Sequence, residues 1–368
     1  MARDHSKLGA LPGDAVGRSF RSIPTLSMAR WGEGAEAQRA FSDDLRRICH
    51  EVGFFLLVDH GLEPSYFDDY FSLLRRFFAL PEAVKSTIDK SRSPHFRGWE
   101  RLGSELTDNK VDHREQVDCS TEWAPYEPRT LPAYLRIDGP NQWLSEEVLP
   151  GFRAGVQEFM QRMGYVADLL MRALAMGLGL AADTFHQRFG ERPHSLTKLI
   201  NYPPTPPGMA GVNSHHDAGF LTLLAQNGVA GLQALNPDGV WIDVPPLPGT
   251  LVVNLGEMLQ SMSGNYYVAT THRVITSEAR LSAAYFHGPD LRTTLEPLDL
   301  AAEFREAVEA SPRHRTAGFM ATRDELLSGA SGTQARSAAI FGEQVWNYYC
   351  RSYPQNVQRH HPDVFAAE

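Results

Sequence analysis

The residues best suited to chemistry lie in Asn213-Ser214-His215-His216-Asp217, just ahead of the apolar run Phe220-Leu221-Thr222-Leu223-Leu224. In an extended chain, residues i and i+2 project from the same face, so His215 and Asp217 can point at one spot. A third donor follows in Thr270-Thr271-His272-Arg273-Val274. Two imidazole nitrogens and one carboxylate oxygen on one side of a metal suit a non-haem Fe(II) centre that keeps positions open for substrate and dioxygen. The same donors also suit Zn(II) in a hydrolase, although no catalytic base is evident beside them. The alternative pairs for His216, with Ser214 or Ala218, supply no second ligand. His215 is therefore the favoured ligand, and His216 faces away or lines the approach to the substrate.

Shortly after His272 comes Arg280-Leu281-Ser282. Arg280 and Ser282 are again i and i+2, so a guanidinium and a hydroxyl can share a face. An inward guanidinium beside a metal site needs a carboxylate partner, and arginine presents the planar fork that fits one. The competing reading is an ordinary strand with a solvated arginine.

Together with Gly53-Phe54-Phe55-Leu56-Leu57-Val58-Asp59-His60-Gly61, Asn201-Tyr202-Pro203-Pro204, Asn265-Tyr266-Tyr267 and Tyr348-Tyr349-Cys350-Arg351-Ser352-Tyr353-Pro354, these pieces resemble the isopenicillin N synthase-like family of 2-oxoglutarate- and Fe(II)-dependent oxygenases. The resemblance spans nearly the whole chain, in the family's order and approximate spacing. It implies that His215, Asp217 and His272 hold Fe(II), that Arg280 and Ser282 bind the distal carboxylate of 2-oxoglutarate, and that Tyr202 and Asn201 help at the co-substrate. It implies an enzyme that uses O2 to oxidise a C–H bond of a small molecule, releasing succinate and CO2. Family members that halogenate lack a carboxylate at the Asp217 position, so hydroxylation, desaturation or ring closure is implied instead. The region 96–122 matches one wall of the family's substrate pocket, where Arg97 could hold an anionic substrate or be a solvated loop residue. Rival readings are an oxidase of the same fold that uses no 2-oxoglutarate, an enzyme that fragments 2-oxoglutarate to ethylene, and a catalytically silent ligand-binding barrel.

The elements that must position these groups are visible as periodicities. Apolar residues recur at helical spacing over 36–52, along the second helix that opens at Pro64, and over 147–178. Beyond Ser195 the pattern changes to short β-type runs at 196–202, 220–226, 231–235, 241–244, 250–254, 268–276 and 282–287, with one helix over 257–263. Asn236-Pro237-Asp238-Gly239 is a hairpin signal between two of them. Close, regular short strands indicate a sandwich or barrel. The expected fold is mainly β with flanking helices. Its core is a double-stranded β-helix (jelly roll), with an N-terminal α/β region and C-terminal helices near 302–310 and 341–351.

The 368 residues and 42% hydrophobic content supply a sizeable core. The expected organisation is a loose N-terminus at 1–20, a support region at 21–194, the metal-bearing core at 195–300 and C-terminal helices at 301–368, all in one integrated catalytic domain. Residues 313–336 form either a lid or a solvated connection. Net charge is −9, and no basic run marks a nucleic-acid groove. The three cysteines, Cys49, Cys119 and Cys350, are widely spaced, as in a protein kept reduced in the cytoplasm. No secretory leader or membrane-spanning run is evident. The expected state is a monomer or weak homo-oligomer with a small-molecule substrate.

Overall fold

In the computed structural model, which describes residues 19–107, 110–126, 132–315 and 340–364, the helical stripes become buried faces. The Ala35–Glu51 helix buries Phe41, Leu45, Ile48 and Cys49. It stops at Gly53, whose φ of 69° is a left-handed value that glycine reaches without penalty. Pro64 occupies the first position of the Pro64–Phe78 helix, where its missing N–H leaves nothing unsatisfied. The longest helix, Phe152–Gly177, buries Phe152, Val156, Phe159, Met163, Val166, Leu170 and Leu174 along one face. It begins later than residue 147 because Leu149 precedes a proline, which disfavours helical backbone, and Gly151 turns the chain at a φ of 78°.

The strands are β1 (Thr25–Ser27), β2 (Phe54–Val58), β3 (Gly98–Glu100), β4 (Leu106–Thr107), β5 (Lys110–Val111), β6 (Glu115–Ser120), β7 (Leu196–Tyr202), β8 (Val212–His215), β9 (Leu221–Gln226), β10 (Leu232–Leu235), β11 (Trp241–Asp243), β12 (Leu251–Leu255), β13 (His272–Val274) and β14 (Arg280–His287). An eight-stranded sheet runs in the order β1-β2-β12-β9-β14-β7-β6-β3. It is antiparallel throughout except between β1 and β2. A four-stranded antiparallel sheet, β11-β10-β13-β8, faces it. Strand alternation splits the large sheet's side chains between two cores. Phe54, Leu56, Ile200, Tyr202 and Val252 meet Val212, Leu232 and Val274 between the sheets. Leu57, Leu199, Leu223, Val253 and Ala283 pack behind the sheet with Phe159, Met163 and Leu170 of the long helix. The result is a double-stranded β-helix backed by helices.

Strands β1, β2, β3 and β6 of the 21–194 region are built into the same sheet as β7, β9, β12 and β14. The hairpin at Asn236–Gly239 forms as its residues dictate. Asn236 Oδ1 accepts from the backbone N–H groups of Asp238 (3.0 Å) and Val240 (2.9 Å), and β10 and β11 pair across it. Strand β8 is an element the sequence pattern does not announce, and β13 is shorter than 268–276. Among the described residues, no helix is long and apolar enough to cross a membrane. Residues 1–18 and 316–336, and with them most of the possible lid, lie outside the described residues.

Candidate metal and co-substrate site

His215 is the last residue of β8 and His272 the first of β13, and the two are direct antiparallel partners. Their rings lie 4.3 Å apart, centroid to centroid. A register irregularity follows His272, a device that re-aims side chains at sheet ends. Asp217 lies past the end of β8, in the turn to β9, so the two neighbouring donors do not both start one strand as i and i+2 spacing suggests. They converge nonetheless. Asp217 Oδ1 is 3.6 Å from His215 Nε2 and 3.6 Å from His272 Nε2, and the three ligand atoms lie within 4.8 Å of one another.

The ring nitrogens that do not face this point fix which ones do. His215 Nδ1 is 2.8 Å from Asn213 O, and His272 Nδ1 is 3.1 Å from Thr270 O. A carbonyl can only accept, so each Nδ1 carries the hydrogen and each Nε2 offers a lone pair, as metal-binding histidines require. Asp217 is oriented in the same manner. Its Oδ2 accepts from Thr222 Oγ1 (2.6 Å) and Asn254 Nδ2 (2.7 Å), which leaves Oδ1 for the shared point. Burial alone would raise the Asp217 pKa, but His272, His215 and the Thr222 hydroxyl outweigh it and hold the carboxyl well below its usual range. Burial, followed by the neighbouring His215, pushes His272 down to about 4. At neutral pH these two groups are therefore a carboxylate and a neutral imidazole, the forms that bind a metal. Two nitrogens and one oxygen on one side fit Fe(II).

The same small cavity, about 60 Å³, is also lined by Arg280 and Ser282. Both are fully buried on β14. Arg280 Nη2 donates to Gln226 Oε1 (2.9 Å), and the guanidinium carbon sits 5.0 Å from the centre of the Tyr202 ring. Arg280 Nε, Arg280 Nη1 and Ser282 Oγ have no partner among the described residues. A buried guanidinium with two unpartnered nitrogens and no carboxylate paired to it among the described residues is a strong demand for an anion.

The remaining sequence candidates divide. Tyr202 is buried and lines the cavity. Asn201 does not: it sits on the opposite face of β7, where its Nδ2 donates to Glu115 Oε1 (2.9 Å). Adjacent strand residues cannot both face the site. Arg97 is also turned away. It is fully buried, and its guanidinium donates to the backbone carbonyls of His95 (2.7 Å) and Ile137 (3.0 Å), so it clamps two backbone segments together and is neither solvated nor part of the cavity wall. His216 is exposed and turned from the triad toward Thr271 Oγ1 (2.8 Å) and Glu257 Oε1 (3.6 Å). Sequence reasoning missed Asn254, Gln226, Arg114 and Lys198. Thr222 and Asn254 are cross-strand partners and polar interruptions in otherwise apolar runs. That interruption is the signal that could have found them.

Two family models match the chain. Residues 23–146 match the N-terminal model described as non-haem dioxygenase in morphine synthesis, and residues 193–289 match the 2OG-Fe(II) oxygenase superfamily. The chain is 33% identical over 356 residues to the 2-oxoglutarate-dependent dioxygenase frbJ of Dothideomycetidae sp. (strain 11243), covering 94% of this chain and 91% of that protein. The chain belongs to the 2-oxoglutarate- and Fe(II)-dependent oxygenases. The oxygenase is also 33% identical over 304 residues to homoarginine-6-hydroxylase 2-ODD-C23 of Glycine max, covering 76% of this chain and 89% of that one. Among solved structures, a full-length Neurospora crassa protein in complex with alpha-KG and 5-formyluracil matches with a TM-score of 0.66 at 25% identity, over 77% of this chain and 90% of that chain. The oxygenase thus uses Fe(II) as its metal and 2-oxoglutarate and O2 as co-substrates.

Proposed function

We propose that His215 Nε2, Asp217 Oδ1 and His272 Nε2 hold the iron, that Arg280 and Ser282 take the distal carboxylate of 2-oxoglutarate, and that the enzyme oxidises an unactivated C–H bond. Hydroxylation is the expected outcome, with desaturation or ring closure as variants. The observation that carries this reading is the pair of unpartnered nitrogens, Nε and Nη1, on the buried Arg280, beside the unpartnered Ser282 hydroxyl, in the cavity that also holds the three metal-type donors.

Bound iron and 2-oxoglutarate supply the oxidation of the C–H bond by dioxygen, with succinate and CO2 as co-products. The chain's own residues do the positioning. Arg280 has Nε and Nη1 free to donate, and the Tyr202 ring lies against the guanidinium. Thr222 and Asn254 keep Asp217 presenting one oxygen. Phe54, Ile200, Leu224, Leu232 and Val274 give the cavity apolar walls that exclude water from the reacting centre. Asp217 itself occupies the position that a halide would need, which favours oxygenation over halogenation.

The soybean relative is named for hydroxylation of homoarginine, and the Neurospora structure holds 5-formyluracil. Both molecules are small, and a net charge of −9 opposes a polyanionic partner. A small metabolite is accordingly the proposed substrate, with no nucleic-acid partner. The enzyme is proposed to work in the cytoplasm as a monomer or weak homo-oligomer.

Anaerobic titration with Fe(II) and 2-oxoglutarate tests the site. A weak visible charge-transfer band is expected, and it is expected to vanish in Asp217→Ala. Oxygen uptake that proceeds equally well without 2-oxoglutarate would instead assign the chain to the oxidases of this fold. Ethylene in the headspace would reveal fragmentation of the co-substrate.

A further inference from the structure

Strand β8 carries a proposed iron ligand on a precarious element. It is short and stands at the edge of the four-stranded sheet, paired with β13 on one side. A carboxylate supports its other side. Asp112 is fully buried, and its Oδ1 accepts from both the backbone N (3.0 Å) and the side-chain Nδ2 (2.9 Å) of Asn213. Asn213 is the residue whose carbonyl fixes His215 through Nδ1. The neighbouring His113 N–H adds a backbone bond to Ala210 O (3.0 Å).

The other Asp112 oxygen has its own partners. Oδ2 accepts from Thr107 Oγ1 (2.6 Å) and lies 3.0 Å from Arg114 Nη2. Arg114 lines the metal cavity, as does Lys198. Glu105 pairs with both cations, at 3.3 Å and 3.1 Å, and accepts from Tyr348 Oη of the C-terminal Phe341–Ser352 helix (3.1 Å). One carboxylate thus holds the residue that aims His215 and orients a cation on the cavity wall.

We propose that Asp112 is a positioning residue of the iron centre, which pins the edge strand β8 so that His215 stays aimed and sets Arg114 against the cavity. The proposal rests on the reading of His215 as an iron ligand. An edge strand left without this partner has a partly buried N–H to satisfy and freedom to shift, and the ligand at its end moves with it.

The substitutions separate the two oxygens. Asp112→Ala removes both contacts. Asp112→Asn keeps an acceptor for Asn213 but sets an amide against the Arg114 guanidinium. Full-length protein with saturating 2-oxoglutarate is titrated anaerobically with Fe(II) and followed by the visible band, with circular dichroism confirming the fold. Asp112→Ala is expected to raise the titration midpoint ~10–100-fold, the range for losing a partner that orients a metal ligand, and Asp112→Asn to restore most of the loss. Asn213→Ala, which removes the side-chain half of the tie, is expected to shift the midpoint in the same direction and serves if Asp112→Ala does not fold. Wild-type midpoints in folded Asp112→Ala or Asn213→Ala, or an Asn variant no better than the Ala variant, overturn the proposal while leaving the iron reading intact. Absence of a band in the wild type overturns both.

Discussion

Asp217 is held from behind by two side chains that lie opposite each other on β9 and β12. Because Thr222 and Asn254 occupy one oxygen, the carboxylate has a single way to face the metal. Asn254→Leu removes one restraint without touching a ligand. Iron affinity is expected to fall ~10-fold or more, measured by anaerobic titration, with the far-ultraviolet spectrum unchanged. Arg280 makes a sharper case, because its effects on stability and on binding have opposite signs. A buried cation lacking a carboxylate is a cost to the ligand-free protein, and an apolar replacement of similar length removes that cost. Arg280→Met is therefore expected to melt no lower than wild type without ligand. It is expected to lose the upward melting shift that 2-oxoglutarate gives the wild type, and to bind the co-substrate ~100-fold more weakly, from a loss of about 3 kcal/mol. A normal shift in Arg280→Met would remove Arg280 from the co-substrate site.

At the scale of elements, what could be read in advance depended on how local the determinant was. The long helix, the Asn236–Gly239 hairpin and the strands β7 and β14 are written in short-range periodicity, and so was the convergence of Arg280 with Ser282. Strand β8 was not readable, because Val212-Asn213-Ser214-His215 has no apolar alternation and owes its conformation to distant partners: β13 on one edge and Asp112 on the other. Asn201 and Tyr202 could have been separated by alternation alone. Arg97 could not have been placed, since nothing local distinguishes a buried clamp from a solvated arginine. The turn holding Asp217 adds a packing constraint. Glu257 N donates to Asp217 O (2.8 Å) and Gly256 N to Phe220 O (3.0 Å), and a Cβ on Gly256 would collide with the Gly219 carbonyl. Gly256→Ala is expected to cost about 2 kcal/mol in denaturant unfolding, in the range of overpacked sites. Weaker iron binding should accompany the loss, because the turn that must give way carries Asp217. Loss of stability with unaltered iron affinity would show that the turn relaxes elsewhere.

Over the whole molecule, burial of imidazoles makes acid the natural enemy of this fold. His287 sits on β14 behind the sheet, against Phe189 and Tyr285, and burial pushes its pKa from the ordinary 6.5 down to about 4. Asp168 lies 3.4 Å from its Nε2 but is largely in water, and so offsets little of that burial. His314 is lowered to about 4 for the same leading reason. Between those values the unfolded chain carries a proton on each such histidine that the native state refuses. Stability therefore rises with pH across the window, is fully present above about pH 6.5, and declines as pH falls toward 4. A shift of this size on one fully buried histidine corresponds to about 3 kcal/mol at the acid end. His287→Leu keeps an apolar side chain of similar bulk and removes one titration. Urea unfolding of chelator-treated wild type and His287→Leu at pH 7, 6, 5 and 4 is expected to give a shallower loss for the variant, by close to one proton's worth of slope. Parallel curves for the two proteins would assign the acid sensitivity to other buried groups. Below this window the carboxylates Glu105 and Asp217, both held under their usual range by cationic or imidazole neighbours, take over the decline in the two proteins alike.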